Sequence, residues 1–121
     1  MVQIDIRYEG QLSCKATHGP SEAQVVTDAP VDNHGRGQSF SPTDLLATAT
    51  GSCMATIMGL RAEALGVDLT GLRMTVVKEM VAEPVRRVGR LRVIVHCPAE
   101  PAEAQREVLE QRRQYERDQR H

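Results

Sequence analysis

Apolar and polar side chains alternate along the first part of the chain. Every second residue is apolar across residues 2–8 and again across residues 12–16, with a turn at Glu9–Gly10 between the two segments. A period of two is typical of half-buried strands, so these segments predict a β-hairpin. Residues 23–27 predict a third short strand. Residues 28–40 contain Pro30 and several glycines, and they predict a loop.

A long apolar helix is predicted to follow this loop. Ser41 can cap the first turn, Pro42 suits the first helical position, and Asp44 stands where the acid of a capping box belongs. No charged residue occurs across residues 45–60, and Gly66 is the predicted stop. Because a helix that is apolar nearly all round usually lies at the centre of a fold, we expect this helix to be buried. The apolar positions along one side are Leu45, Leu46, Ala49, Cys53, Ile57 and Leu60.

The second half of the chain predicts two more strands and a polar helix. Residues 72–81 are rich in Val and Met, and residues 91–97 alternate between apolar and polar side chains. Residues 102–120 carry many charges and predict a solvent-exposed helix. The sequence therefore predicts a single α+β domain over residues 1–121, with a mainly antiparallel sheet and a buried central helix. Since few elements are left to cover that helix, we expect a second subunit to supply the missing wall.

Composition and charge exclude several classes of function. The chain has 121 residues, of which 15 are Lys or Arg and 16 are Asp or Glu, so it lacks the basic excess of proteins that bind nucleic acid or anionic membranes. Aromatic residues make up only 2%, too few for base stacking. The apolar helix is too short and too often interrupted by Ser and Thr to span a membrane. Without a signal-peptide pattern, a cytoplasmic protein is expected.

The three cysteines are the candidate chemistry. Cys14, Cys53 and Cys97 are widely spaced and odd in number, which fits neither a disulfide framework nor a zinc site, and no metal or cofactor is expected. Cys53 lies in the middle of the apolar helix, where a free cysteine is often only a small buried side chain. It is three turns from Pro42, beyond the reach of the helix dipole. A reactive Cys53 thiolate would need a cation from another element.

The helix motif carries a family resemblance. Residues 41–47 followed by Gly51, Ser52 and Cys53 resemble the central-helix motif of the OsmC/Ohr family of osmotically induced and organic-hydroperoxide-resistance proteins. The preceding glycine-rich loop, residues 66–69 and residues 84–87 match in the same order. The resemblance is greatest to the OsmC-like branch, and it implies an intertwined homodimer in which central helices of both subunits cap each sheet.

The resemblance also implies a mechanism. In thiol peroxidase chemistry, the Cys53 thiolate attacks a peroxide, an alcohol leaves and a sulfenic acid forms. The family arginine falls by count on or near Asn33, so Arg36 is the candidate if the loop is displaced. The family acid falls on Thr43, and Asp44 is better explained as a cap. The second family cysteine has no counterpart in residues 111–117, which contain no Cys.

Three functional hypotheses follow. The first is a thiol-dependent peroxidase that acts on organic hydroperoxides, in which Cys97, Cys14 or an external thiol reduces the Cys53 sulfenate. The second is a non-catalytic dimer of the same fold that binds a small apolar or acidic ligand between its subunits. The third is a partner-binding role of the charged C-terminal helix. The sequence leaves open whether the protein is an enzyme. His18 and His34 are expected to be solvated loop residues.

Overall fold

A computed structural model of the protein describes residues 1–98, and the polar helix predicted over residues 102–120 lies outside them. Within the described residues, every strand pair is antiparallel, which confirms the predicted α+β class. The chain divides into two compact units, one of residues 1–46 and one that begins at Ala47. In chain order, the elements are β1 (Ile4–Gly10), β2 (Ser13–His18), β3 (Gln24–Asp28), a 3₁₀ turn (Val31–Asn33), α1 (Pro42–Ala64), β4 (Arg73–Val81) and β5 (Arg87–His96).

The first unit contains a three-stranded meander in the order β1-β2-β3. The predicted hairpin is present, but the prediction of a turn at Glu9–Gly10 is wrong, because the turn lies at Gln11 and Leu12. Both residues have a left-handed backbone, with φ values of 53° and 62°, as the two central residues of a type I′ hairpin turn do. The Leu12 carbonyl accepts a hydrogen bond of 3.1 Å from the Ala29 N–H. The turn is thereby attached to the loop that follows β3.

Polar residues are buried in the first unit, and its apolar strand residues are exposed. Ser13 and Thr27 are buried, and the Ser13 hydroxyl donates a 2.7 Å hydrogen bond to the Thr27 carbonyl. On the face of the sheet that carries alternate residues of β1, Ile4, Ile6 and Tyr8 are all more than half exposed. This face is an apolar surface that residues 1–98 leave uncovered.

Helix α1 begins and ends with two recognisable capping motifs. The Asp44 N–H donates to the Ser41 hydroxyl (3.0 Å), and the Ser41 N–H donates to the Asp44 carboxylate (2.9 Å). This reciprocal pair is the predicted capping box. At the other end, Gly66 has φ 72°, its N–H donates to the Glu63 carbonyl, and the Val67 N–H donates to the Ala62 carbonyl. These bonds form a Schellman motif, which confirms Gly66 as the stop.

The second unit holds the apolar core. Met58, Ala62 and Leu69 form a buried cluster, against which Leu72 and Val95 pack. The antiparallel hairpin of β4 and β5 thus lies against one side of α1. The residues of α1 that are buried form a single stripe of Ala47, Gly51, Met54, Met58 and Ala62.

The buried stripe is not the one that the sequence suggested. On the predicted side, Leu46 and Leu60 are 54% and 64% exposed, and Ala49 and Cys53 are also exposed. The expectation of a buried central helix therefore holds for one side only within this chain. The physical reason is close packing at one position: a Cβ added at Gly51 would lie 2.8 Å from Val76 Cγ2, so the hairpin approaches α1 closely where the helix has no side chain. No helix among residues 1–98 has both the length and the hydropathy needed to cross a membrane.

Candidate functional site

Cys53 is an exposed free thiol in the middle of α1. It lies on the side of the helix that faces away from the β4–β5 hairpin, between Ala49 and Leu60 along the exposed apolar stripe. This position contradicts the interpretation of Cys53 as a small buried core residue. A dissolved reactant can therefore approach the thiol in the single chain. The apolar side chains on the same side of α1, Ala49 and Leu60, are exposed to water, which is unfavourable for them.

Arg36 lies in the first unit and is held by a buried acid. Its Nε is 3.6 Å from Asp28 Oδ2, and its Nη1 donates a 3.2 Å hydrogen bond to Gln11 Oε1. Asp28 is only 2% exposed, and its Oδ2 also accepts a hydrogen bond from the Gln38 N–H. The other oxygen, Oδ1, has no hydrogen-bond partner among residues 1–98. The guanidinium is therefore anchored at two of its nitrogens.

The loop that carries Arg36 is closed at its base. The Asp28 N–H donates to the Phe40 carbonyl (3.0 Å), and the Gly37 N–H donates to the Ala29 carbonyl (3.1 Å). Gly35 is packed so closely on the Ala29 backbone that a Cβ would overlap it. The sequence pattern does not indicate Asp28 as a partner of Arg36, because it places both residues in the loop predicted over residues 28–40. The position of Asp28 directly after the strand predicted over residues 23–27 is the one feature of the sequence that could have indicated its role in fixing the loop.

Asn33 and Thr43, the positions on which the family arginine and the family acid fall by count, do not contact Arg36 or Asp28 in any hydrogen bond or ion pair given above. Asn33 is exposed at the end of the 3₁₀ turn, and the Thr43 hydroxyl lies 3.2 Å from the Ser41 hydroxyl in the first turn of α1. Thr43 therefore belongs to the capping region of the helix. The acid that contacts Arg36 is Asp28.

The two other cysteines differ in their position. The alternation of residues 91–97 predicts that Cys97 faces inward, under the central helix. This prediction is wrong, because Cys97 directly follows β5 and is exposed. Val95, two residues earlier, packs against the buried side of α1, whereas Cys53 lies on the exposed side. A disulfide needs Cα atoms within about 7 Å, and a helix with its side chains is about 10 Å across. The helix therefore separates Cys53 from Cys97 within one chain. Cys14, in the first unit, is half-buried.

A cleft lies beside the C-terminal half of α1. It has a volume of about 760 Å³ and is formed by one side of the helix and the segment that follows it. Its apolar lining includes Leu60, Val67 and Leu72, and its polar lining includes Glu63 and Asp68. Hydrogen bonds from the hydroxyl and the N–H of Thr70 hold the pKa of the Asp68 carboxyl below its ordinary value. The lining of the cleft thus includes two carboxylates, and no pattern in the sequence predicts the cleft.

The histidines and acids do not form a metal site in the part of the chain that the structure describes. Residues 1–98 contain no group of three His, Cys, Asp or Glu side chains that could hold an ion. His34 is exposed in the loop before α1. His18 is the last residue of β2 and is half-buried, so the expectation of a solvated loop residue is wrong for it; its Nδ1 is 2.6 Å from the Ser21 hydroxyl in the turn that follows.

Comparisons with known proteins place the chain in a family. The model of the family described as OsmC-like protein matches residues 35–115. The chain therefore belongs to the OsmC-like family, as the helix motif indicated. No curated protein matches it.

The solved structures give the same fold. An osmotic stress induced and detoxification response protein of Psychrobacter arcticus, so described provisionally, is 38% identical with a TM-score of 0.86; the match covers 93% of this chain and 81% of that one. An organic hydroperoxide resistance protein OsmC of Legionella pneumophila is 14% identical with a TM-score of 0.71, covering 95% and 83%. A Vibrio cholerae protein provisionally described as an organic hydroperoxide resistance protein, with captopril bound in one of its active sites, is also 14% identical; its TM-score is 0.70 and the coverage is 95% and 78%.

Proposed function

We propose that the protein is a thiol-dependent peroxidase that acts on organic hydroperoxides, with Cys53 as the nucleophile. The observation that carries the proposal is the exposure of the Cys53 thiol on an apolar side of α1. An apolar surround favours the organic part of a hydroperoxide over water. Members of the same fold described as organic hydroperoxide resistance proteins add support. Three free cysteines suit the reducing cytoplasm, where thiol reductants are available.

The reaction transfers one oxygen to sulfur. The Cys53 thiolate attacks the terminal oxygen of R–O–OH, the O–O bond breaks, and an S–O bond forms. Sulfur loses two electrons and becomes the sulfenic acid, while the alkoxide takes a proton and leaves as the alcohol R–OH. Two external thiols then restore the protein. The first forms a mixed disulfide with Cys53 and releases water, and the second displaces Cys53 as a thiol and leaves the oxidised reductant.

Arg36 is the cation that we propose for this chemistry. Its pairing with Asp28 and Gln11 fixes the side chain without occupying all five donor hydrogens. A fixed guanidinium can stabilise both a thiolate and the developing negative charge on the leaving oxygen. In this proposal, Asp28 is the acid that pairs with the cation, because Thr43 carries no carboxylate.

We also propose that the protein acts as a homodimer in which the partner subunit packs against Leu46 and Leu60 on the exposed side of α1 and leaves the Cys53 thiol accessible to a small substrate at the interface. The exposed fractions of Leu46 and Leu60 are large for apolar helix residues, and neighbouring exposed apolar residues usually mark an interface. In Ala49→Glu, a charge on that side of α1 would be buried on association. We expect the dimer dissociation constant to rise by roughly a hundredfold or more. Analytical ultracentrifugation measures the dissociation constant. An unchanged constant, in a variant whose circular dichroism spectrum is that of the folded protein, would contradict the dimer.

The peroxidase proposal is tested by the reaction of the fully reduced protein. Stopped-flow kinetics with cumene hydroperoxide should give a rate constant at least roughly a hundredfold above that of free cysteine. Intact mass should show one added oxygen on Cys53. Cys53→Ser should abolish the reaction, whereas Cys97→Ser, the matched control, should retain it. Arg36→Lys should slow it more than Lys15→Arg, an exchange outside the proposed site.

The cleft favours a second candidate, a non-catalytic dimer that binds a small ligand. Its volume of about 760 Å³ is within the range of small-molecule sites. If the rate of Cys53 oxidation equals that of free cysteine and Cys53→Ser leaves ligand binding unchanged, this second function replaces the first.

A further inference from the structure

We propose that the outer face of the β4–β5 hairpin, which is turned away from α1, is a docking surface for an acidic segment of another protein. The outer face is defined by alternate residues of β4, from Arg73 to Val81, and by their pairing partners on β5, from His96 to Arg87. Such docking does not depend on the proposed peroxidase function.

Two contacts show which face of the hairpin is turned toward α1. Val76 lies beside Gly51, and Val95 packs against the buried cluster of α1. Since successive side chains of a strand point to opposite faces, the neighbours of these two valines belong to the outer face. There, Ile94 is 48% exposed, and the side chains of Arg90 and Arg92 are 65% and 57% exposed. The outer face is therefore open to solvent in the single chain.

The hairpin carries the positive charge of the described chain. Residues 73–96 contain six Lys or Arg and two Asp or Glu, whereas residues 1–72 contain four and eight. The net charges of these two parts are thus +4 and −4, although the whole chain has a net charge of only −1. A surface on which one sign of charge is concentrated attracts groups of the opposite sign.

Ion pairs within the hairpin leave much of this charge uncompensated. The Nε atoms of Arg90 and Arg92 lie 3.9 Å and 3.2 Å from the two oxygens of Glu79, so two positive charges share one carboxylate. Arg87 Nη1 donates hydrogen bonds of 2.6 Å and 3.2 Å to two backbone carbonyls of the turn, which fix the guanidinium without neutralising it. Among residues 1–98, neither Arg87 nor Arg73 forms an ion pair.

The other residues of the outer face favour a protein over a nucleic acid. Residues 73–96 contain no Phe, Trp or Tyr on which a base could stack. Val77, Val81 and Ile94 lie between the arginines and offer apolar contact. Arginine beside apolar residues is typical of protein–protein interfaces, and its planar guanidinium pairs well with carboxylates. The chemistry therefore fits a segment that presents both carboxylates and apolar side chains.

A second copy of this chain is poorly suited to this face. Its residues 1–46 are acidic overall, with three Lys or Arg and six Asp or Glu. However, Glu9, Asp28 and Asp44 already have partners in their own chain, in ion pairs or in the capping box. Docking of these acids on a second hairpin would compete with those contacts.

Docking is tested by fluorescence anisotropy with a labelled peptide of Glu and Leu, about ten residues long, which is enough to span the roughly 27 Å of β4. The comparison peptide has Gln in place of every Glu. We expect the acidic peptide to bind at least roughly tenfold more tightly at low salt, and this advantage to shrink as salt is added. Equal binding of the two peptides would overturn the proposal.

Two double variants locate the binding surface. Arg90→Gln with Arg92→Gln removes two charges from the outer face, and the dissociation constant of the acidic peptide should rise roughly tenfold. The matched control is Arg7→Gln with Lys15→Gln, which removes two charges that also share one carboxylate, that of Glu9. The control should leave the constant unchanged. Equal effects of the two double variants would show general attraction by charge and would contradict a docking surface.

Glu79→Gln separates docking from a structural role of the same residues. Removal of this carboxylate frees both of its arginines, so the acidic peptide should bind roughly threefold more tightly. Loss of the hairpin structure would weaken binding instead, and an unchanged or weaker affinity would contradict the proposal.

Two further measurements test the other occupants of the face. Tighter binding of oligothymidylate than of the acidic peptide at the same salt concentration would assign the face to nucleic acid. A dimer dissociation constant that rises in the Arg90 and Arg92 double variant, measured by analytical ultracentrifugation, would assign it to a second copy. Either result would overturn the proposal. Weaker binding of oligothymidylate and an unchanged dimer constant are the results that we expect.

Discussion

The two sides of α1 have similar residues but opposite environments. One side carries Ala47, Met54 and Ala62, which are buried within the second unit, with Met54 only 1% exposed. The other side carries Leu46 and Leu60, which are larger on average and mostly exposed. Hydrophobicity alone therefore does not decide which side of a helix faces the core of its own chain.

The difference between the sides is one of fit at Gly51. A two-stranded hairpin approaches a helix closely where small residues leave room, and it does so here at Gly51. The exposed side carries Leu46 and Leu60 together with Cys53. The side that carries Gly51 packs within the chain, and the opposite side is exposed among residues 1–98, which is the arrangement that the proposed homodimer requires.

The largest predicted effect comes from truncation of the buried side. Met54→Ala should reduce the free energy of unfolding by about 2–5 kcal/mol, because it leaves a cavity in a closely packed region. Urea denaturation at several protein concentrations measures it, and the loss should be the same at each. Leu60→Ala, on the exposed side, should have a small effect at low concentration and a larger one where dimers form. If both variants lost the same free energy of unfolding at every protein concentration, the two sides of α1 would not differ in burial.

Much of the fold could be predicted from local signals. The capping residues Ser41 and Asp44 and the stop at Gly66 acted as expected, because caps depend on backbone groups a few residues away. The strand pattern of residues 91–97 was also informative, since Val95 faces the core. These features depend on short-range geometry, which the order of residues determines.

The remaining features depend on contacts between distant segments. The choice of the buried side of α1 depends on the fit between Gly51 and Val76, which are 25 residues apart. The pairing of Asp28 with Arg36 requires the loop to fold back, and the cleft requires the segment after Gly66 to return along the helix. For the same reason, periodicity alone placed Cys97 inward. An alternating pattern cannot show that a strand ends at His96.

Two glycines of α1 provide a smaller and closely matched test of the difference between the sides. Gly51→Ala places a Cβ against Val76, whereas Gly59→Ala places one in open space. Both exchanges improve helix propensity by about 0.5–1 kcal/mol. Overpacking costs about 1–3 kcal/mol, so Gly51→Ala should lower the free energy of unfolding by roughly 1 kcal/mol net. Gly59→Ala should raise it by about 0.5–1 kcal/mol. Urea denaturation of both variants measures the two values side by side. If both substitutions raise the free energy of unfolding equally, close packing at Gly51 does not determine which side of α1 is buried.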